Sequence, residues 1–181
     1  MMTDKMSIHI RSARLADLDK IYKIECLCFS GPEIFDKELL RYFLHKTNDE
    51  IFIVAMVPTQ KDLSKKRNMI GFLIAMPRAW NFYEIFTIDV HPNYRRKGTG
   101  EALMLDLEER IKERIIKKMQ EDFREREALE VVISLTVYEK NEPAKKLYQK
   151  LGYQKQKIIP NYYLGEKNGI RMQKQLIIRK K

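Results

Sequence analysis

Arg95-Arg96-Lys97-Gly98-Thr99-Gly100 places three cations and two glycines between a strand-like run ending at Val90 and a long helical pattern. Glycine lets the backbone turn tightly, so that successive N–H groups converge on an anion. The first turn of a helix adds unpaired donors and roughly half a positive charge. Together these features suit a pyrophosphate. The same residues also suit a basic loop ahead of an ordinary helix, because a pair of glycines carries little specificity by itself. Neither the GxxxxGK[ST] phosphate loop nor the dinucleotide GxGxxG spacing occurs here.

The rest of the chain limits the partners such a loop can have. The 181 residues fit a single domain, and 44% hydrophobic residues are enough for a substantial core. A net charge of +10 points to anionic partners: nucleic acid, a polyphosphate cofactor or an acidic substrate. Dense Lys and Glu also form surface networks in heat-stable proteins, so charge alone does not choose among these. The longest apolar run, Ile51 to Val57, is far shorter than the ~20 residues a membrane helix needs. The stretch MMTDKMSIHI lacks the apolar centre of a secretory signal, so a soluble, cytoplasmic protein is expected. Cys26 and Cys28 sit two apart in a helix-like segment and point to different faces, which argues against a disulfide. His9, His45 and His91 are scattered and make no ligand pattern, so no metal is expected.

The elements that must position the loop follow from periodicity. Ile8 to Ala13 reads as a short strand. Asp17 is placed to cap a helix carrying Leu18, Ile21, Tyr22, Cys28 and Phe29, which Gly31-Pro32 breaks. A second helix runs from about Asp36 to Lys46 with Leu39, Leu40 and Phe43 on one side. Ile51–Val57, Met69–Met76 and Phe82–Val90 read as strands, with a Lys-rich connection over Thr59–Asn68 and a break over Pro77–Asn81. After the glycine loop, Ala102, Leu103, Leu105, Leu107, Ile111, Ile115 and Met119 mark a long helix reaching about Glu127. Glu130–Val137 is a strand, Asn141–Leu151 a helix stopped by Gly152, and Tyr153–Ile159 and Ile170–Ile178 are the last strands. The pattern is an α/β domain of about seven strands and four helices, without internal repeats.

Two motifs in order give this pattern a family resemblance. Arg95-x-x-Gly98-x-Gly100 resembles the R-x-x-G-x-G acetyl-CoA signature of the GNAT N-acetyltransferase superfamily. Downstream, Asn141-Glu-Pro-Ala-Lys-Lys-Leu-Tyr148-Gln-Lys-Leu-Gly152-Tyr153 resembles that superfamily's N-x-x-A-x-x-L-Y-x-K-x-G-F. The resemblance extends from Ile8 to about Leu176. It implies one domain over 1–181, with a mixed, mostly antiparallel seven-stranded sheet splayed between strands four and five. Acetyl-CoA would lie in that opening. Backbone groups of Ile88, Asp89 and Val90 would pair with its pantetheine arm. The N–H groups around Arg95, Arg96, Lys97, Gly98, Thr99 and Gly100 would hold its pyrophosphate, and Asn141 would meet the pantetheine side.

The chemistry then required is specific. An amine attacks a thioester only when unprotonated, the oxyanion must be stabilised, and the departing thiolate benefits from a proton. Glu84 stands 14 residues before Gly98, the position of the strand-four base in similar histone acetyltransferases. Alternation puts Glu84, Phe86, Ile88 and Val90 on one face, and the aromatic neighbours Phe82, Tyr83 and Phe86 suggest a carboxyl with a raised pKa. A solvated glutamate at a strand end is the plainer reading of the same residue. Tyr148 matches the motif tyrosine that faces the CoA sulfur and acts as general acid.

Within the superfamily the chain looks most like the RimI-like and archaeal amino-terminal acetyltransferase subunits. Phe29, Gly31, Pro32 and Glu33 resemble their substrate loop, where Glu33 would contact or help deprotonate the peptide terminus. Asn161-Tyr162-Tyr163-Leu-Gly165-Glu166 resembles their hairpin, whose tyrosines line the peptide groove. The fifth strand departs from their L-E-V-R, reading Leu135-Thr136-Val137-Tyr138, and the hairpin continues Lys167-Asn168-Gly169-Ile170. These departures bear on the acceptor rather than on fold or cofactor. An α-amine is easier to deprotonate than a lysine side chain by about 3.5 kcal/mol, which favours an amino-terminal acceptor. The expectation is acetyl transfer to a protein amino terminus by direct attack in a ternary complex, with ribosome association possible through the basic surface. Polyamine or lysine acetylation, or a non-catalytic acyl-CoA- or RNA-binding module, are the alternatives.

Overall fold

The computed structural model describes residues 6–45, 50–58, 67–121 and 127–180. Among these are seven strands and four α-helices. In chain order they are β1 (His9–Ser12), α1 (Leu18–Cys28), α2 (Lys37–His45), β2 (Ile51–Pro58), β3 (Arg67–Ala79), β4 (Phe82–Val90), α3 (Thr99–Glu121), β5 (Ala128–Tyr138), α4 (Glu142–Lys150), β6 (Gln154–Tyr163) and β7 (Lys167–Arg179). The strands form one sheet in the order β1-β2-β3-β4-β5-β7-β6. β1 with β2, β5 with β7 and β6 with β7 are antiparallel. β4 and β5 are parallel, with a register running from Phe82–Val132 to Ile85–Leu135. This is the mixed, mostly antiparallel sheet that the motifs imply. The chain packs as two compact units, Met1–Ile74 with Ile88–Asp106 and Ala75–Thr87 with Leu107–Lys181.

In the first unit, β2 is buried from Ile51 to Val57, as its unbroken apolar run requires. Gly71 on β3 allows a close approach: a Cβ there would lie 2.6 Å from the Asp89 carbonyl oxygen and 3.4 Å from Thr99 and Leu103 side-chain atoms. Leu18, Ile21, Ile24 and Glu25 of α1 are buried, whereas Tyr22, Cys28 and Phe29 are only half-buried. Asp17 does not cap α1 with its side chain. Its carboxylate is held instead by Arg11, at 2.7 and 2.8 Å, and by the Arg14 N–H at 2.9 Å. Burial works to raise the Asp17 pKa, but the Arg11 hydrogen bond, the Arg14 amide and the Arg11 charge outweigh it and hold the carboxyl below its usual range. Asp36 does cap α2, its Oδ1 accepting the Leu39 N–H at 2.7 Å. Leu40 and Phe43 are buried but Leu39 is exposed, because adjacent helical residues lie about 100° apart. Lys46 and residues 59–66 of the expected Lys-rich connection lie outside the described residues.

In the second unit, β3 runs through Pro77 to Ala79 rather than breaking there, leaving Trp80 and Asn81 to turn the chain into β4. Proline fits a strand end where its missing N–H is not needed. Asn81 secures the turn: its carbonyl accepts the Val132 N–H at 2.9 Å and its side-chain amide donates to the Glu130 carbonyl at 3.0 Å. Leu107, Ile111, Ile115 and Met119 of α3 are buried, as their spacing predicts. Leu105, on the first-unit part of α3, is exposed, contrary to its place in that pattern, and α3 ends at Glu121 rather than near Glu127, with 122–126 outside the described residues. Between the buried apolar positions Glu108 is also buried, and its two oxygens take Lys174 Nζ of β7 at 2.9 and 2.7 Å. Gly152 ends α4 with φ +89°. β6 is longer than expected and carries an irregularity between Ile159 and Tyr163, where Asn161 turns left-handed at φ +54°.

Candidate active site

The glycine loop is shaped by its backbone. Arg96 has φ +61° and Gly98 φ +84°, so the chain twice enters the left-handed region before α3 begins at Thr99. A Cβ at Gly98 would meet nothing within 4 Å. The glycine therefore serves the turn, and the space in front of it is open. Thr99 is buried and its hydroxyl donates to the Tyr94 carbonyl at 3.2 Å, fixing the first turn of the helix. The three cations behave differently from one another. Lys97 is tied to the Asn93 carbonyl at 2.9 Å and lies over the Tyr94 ring. Arg95 turns back, donating Nε to the Val90 carbonyl at 3.1 Å and a terminal nitrogen to Cys28 Sγ at 3.4 Å. Arg96 is exposed.

Cys28 thus joins the end of α1 to the end of β4. Its thiol donates to the Val90 carbonyl at 3.4 Å, so that carbonyl already receives two internal donors. Burial, then the Asp89 charge, push the Cys28 thiol up to about 11 against a smaller opposing pull from Arg95. Val90 and Ile88 are half-buried and Asp89 is buried, in keeping with alternation along β4. Beside Cys28, the Glu25 carboxylate is buried. Its Oε1 accepts the Phe35 N–H at 2.9 Å, while Oε2 has no partner. That bond anchors the segment after the Gly31–Glu33 turn, which holds Glu33 half-buried and contains Pro32. Phe29, half-buried, follows α1 in extended conformation.

The second unit holds Glu84. The strand burial alternates as expected, with Glu84 and Phe86 on the more open face of β4. The partners of Glu84, however, are not aromatic. Arg78 Nε donates to Oε2 at 2.8 Å, and an Arg171 terminal nitrogen lies 3.6 Å from Oε1. Arg78 also stacks over Phe86, 4.7 Å from the ring centre. The apolar setting read from Phe82, Tyr83 and Phe86 is therefore replaced by two guanidinium groups. Strand periodicity could not place them, because Arg78 reaches Glu84 across the β3–β4 turn and Arg171 comes from β7.

Tyr148 is buried on α4, its ring 6.1 Å from that of Tyr153. Asn141 is the helix cap, its Oδ1 accepting the Ala144 N–H at 3.3 Å. On β6, Tyr162 is exposed and meets Tyr163 edge-on at 4.9 Å. Tyr163 donates its hydroxyl to the Thr136 carbonyl at 3.0 Å and meets Tyr138 edge-on at 6.1 Å. The irregular backbone at Asn161 is what presents these two rings. Gly169 admits the packing, since a Cβ there would lie 2.6 Å from Thr136 Cγ2 and 3.0 Å from Tyr162 Cβ. The Thr136 hydroxyl oxygen is buried without a partner.

The expected site residues thus divide by unit. Phe29, Pro32, Glu33, Ile88, Asp89, Val90 and the loop from Arg95 to Gly100 belong to the first; Glu84, Asn141, Tyr148, Tyr162 and Tyr163 belong to the second. Sequence reasoning missed Arg78, Arg171 and Glu25. Among the described residues no three His, Cys, Asp or Glu side chains group as metal ligands, and both cysteines are free. No helix among them is long and apolar enough to cross a membrane.

Comparison with known proteins agrees with this architecture. The acetyltransferase (GNAT) family pattern matches residues 18–153. A Bacillus subtilis protein provisionally named a ribosomal protein bS18-alanine N-acetyltransferase is 30% identical over 159 residues, covering 88% of this chain and 89% of its own. An N-alpha-acetyltransferase of Sulfurisphaera tokodaii is 31% identical over 170 residues, covering 85% and 84%. The crystal structure of the ribosomal-protein-S18-alanine N-acetyltransferase from Escherichia coli superposes with a TM-score of 0.71 at 23% identity, covering 97% of this chain and 96% of that one. By the extent of these matches, the chain belongs to the GNAT acetyltransferase family.

Proposed function

We propose that the protein acetylates the α-amine of protein or peptide amino termini, by direct attack of the amine on acetyl-CoA in a ternary complex, with residues 1–181 forming one catalytic domain. The observation that carries this reading is the similarity to an N-alpha-acetyltransferase over 85% of this chain and 84% of the relative. The residues present fit the cosubstrate. The left-handed Gly98 opens onto free space at the amino-terminal end of α3, where helix amides and the helix dipole suit a diphosphate. Acetyl-CoA, when bound, supplies the acetyl group as an activated thioester.

The chain's own groups do the rest. Glu84 accepts the proton of the incoming ammonium, directly or through one water, with Glu33 assisting at the peptide terminus. Tyr148 delivers its phenolic proton to the departing sulfur. Phe29, Pro32, Tyr162 and Tyr163 line the acceptor. Glu25, by holding the Phe35 amide, positions the segment that carries Glu33. A cytoplasmic location belongs to the same proposal, since two free cysteines fit a reducing compartment. So does docking on the ribosome through the +10 charge, testable by salt-dependent co-sedimentation.

The test is acetyl-CoA turnover, followed by thiol release, against free amino-terminal peptides, an amino-blocked lysine peptide and spermidine. Turnover that requires a free α-amine is the expected result. Turnover confined to the blocked peptide or to spermidine would sink the choice of acceptor and leave the acetyltransferase assignment intact.

A further inference from the structure

Around Glu84, on one sheet face of the second unit, two cations meet one carboxylate. Glu84 is opposite Ser134 across β4 and β5, and Ser134 is opposite Gln173 across β5 and β7. In the next pair along the same face, Thr136 is opposite Arg171. Ser134, Thr136 and Gln173 are neutral. At this place on the face the Glu84 carboxylate therefore meets two guanidinium groups, those of Arg171 and of Arg78, which reaches Glu84 at 2.8 Å. Two buried polar atoms here lack partners, the Arg171 Nε and the Thr136 hydroxyl oxygen, and they belong to directly opposed residues.

The two arginines are placed for different tasks. Arg171 is 22% exposed, so its charge acts from behind the surface. Arg78 is 50% exposed, stacked on Phe86 and aligned by a hydrogen bond to Glu84. A guanidinium fixed in this way offers its terminal N–H groups to a carboxylate with little loss of side-chain freedom. We propose that Arg78, with Arg171 as a second positive charge, selects acceptors bearing a carboxylate in their first two residues, so that the substrates are acidic amino termini and cationic acceptors are rejected. This rests on the α-amine reading above. An amine handled by Glu84 lies one hydrogen bond from the group that orients Arg78. The next Cα follows at about 3.8 Å, so side chains of the first two residues come within reach of Arg78.

The experiment uses peptides identical except for Asp, Asn or Lys as second residue, and a parallel set varied at the first. Turnover and binding to the CoA-loaded protein are both read. The expected order is Asp above Asn above Lys, with kcat/KM for Asp about tenfold or more over Lys and the ratio shrinking at high salt. Arg78→Gln should bring the ratio close to one, Arg78→Lys should keep most of it, and Arg171→Gln should lower it part of the way. Equal kcat/KM for acidic and neutral peptides in both sets would overturn the proposal. So would a preference that survives Arg78→Gln, or spermidine as the fastest acceptor. Preferential binding of acidic peptides without turnover of any α-amine would sink the acceptor reading while this inference stands; turnover of α-amines without ranking by charge would do the reverse.

Discussion

The glycine loop of the first unit and the Glu84 face of the second achieve rigidity by opposite means. Around the loop, backbone shape does the work. Two left-handed residues form the turn, Gly71 allows β3 to approach the Asp89 carbonyl, and Arg95 ties the Val90 carbonyl. Around Glu84, long charged side chains from β3, β4 and β7 meet, and below that sheet face Lys174 neutralises a buried Glu108. A backbone-built region tolerates changes in side-chain chemistry but not added volume. A side-chain-built region has the reverse sensitivity.

The largest effect that would break this contrast is on activity. Glu84→Gln is nearly isosteric and should lower kcat by ~10²–10⁴ if the carboxylate accepts a proton. CoA affinity, measured by calorimetry, should survive. A Glu84→Gln enzyme within a few-fold of the wild type would show that Glu84 serves only to orient Arg78.

Next in size, Lys174→Met leaves the Glu108 carboxylate buried and unpaired, which should cost about 3–5 kcal/mol in denaturant unfolding. Adding Glu108→Gln should recover a good part of the loss. Failure to recover it would mean that packing of the Lys174 stem, rather than its charge, holds β7 to α3.

In the first unit, Gly71→Ala puts a methyl against a carbonyl that cannot move aside, and should cost about 1–3 kcal/mol. At the open Gly98 the same change strains only φ, with a cost on the order of 1 kcal/mol and a loss of CoA affinity. Equal stability losses at the two glycines would contradict the distinction between close approach and turn.

The smallest expected effect is a pH dependence. Asp17 has its folded pKa depressed below the unfolded value of about 3.9. Its contribution is therefore complete above that pH and vanishes as the pH falls through the folded value. The Tm difference between wild type and Asp17→Asn should accordingly hold steady down to about pH 4 and narrow below it. A constant difference would assign the effect to packing.

The same contrast explains what could be read from sequence. Gly98 and the α3 pattern announce themselves locally, because a turn and a helix are made by neighbours in the chain. The alternation of β4 put Glu84 on the correct face for the same reason. Arg78 and Arg171 were invisible, since the first reaches Glu84 around a turn whose length depended on Pro77 staying inside a strand, and the second arrives from β7. Periodicity also treats charge as surface, so it passed over Glu108 and Glu25, both buried, and it counted Leu39 and Leu105 as inward when their neighbours took those places. Asp17 matched a capping rule, yet Arg11 and Arg14 competed successfully for the same oxygens.

Cys28 carries a consequence of its own for an enzyme that handles thioesters. A cysteine thiolate is the form that exchanges with a thioester and takes the acyl group onto the protein. With its pKa pushed up to about 11 by burial and the Asp89 charge, the Cys28 sulfur stays a neutral thiol at neutral pH. The same burial that packs the end of α1 against β4 thus also removes the nucleophilic form of its one half-buried cysteine.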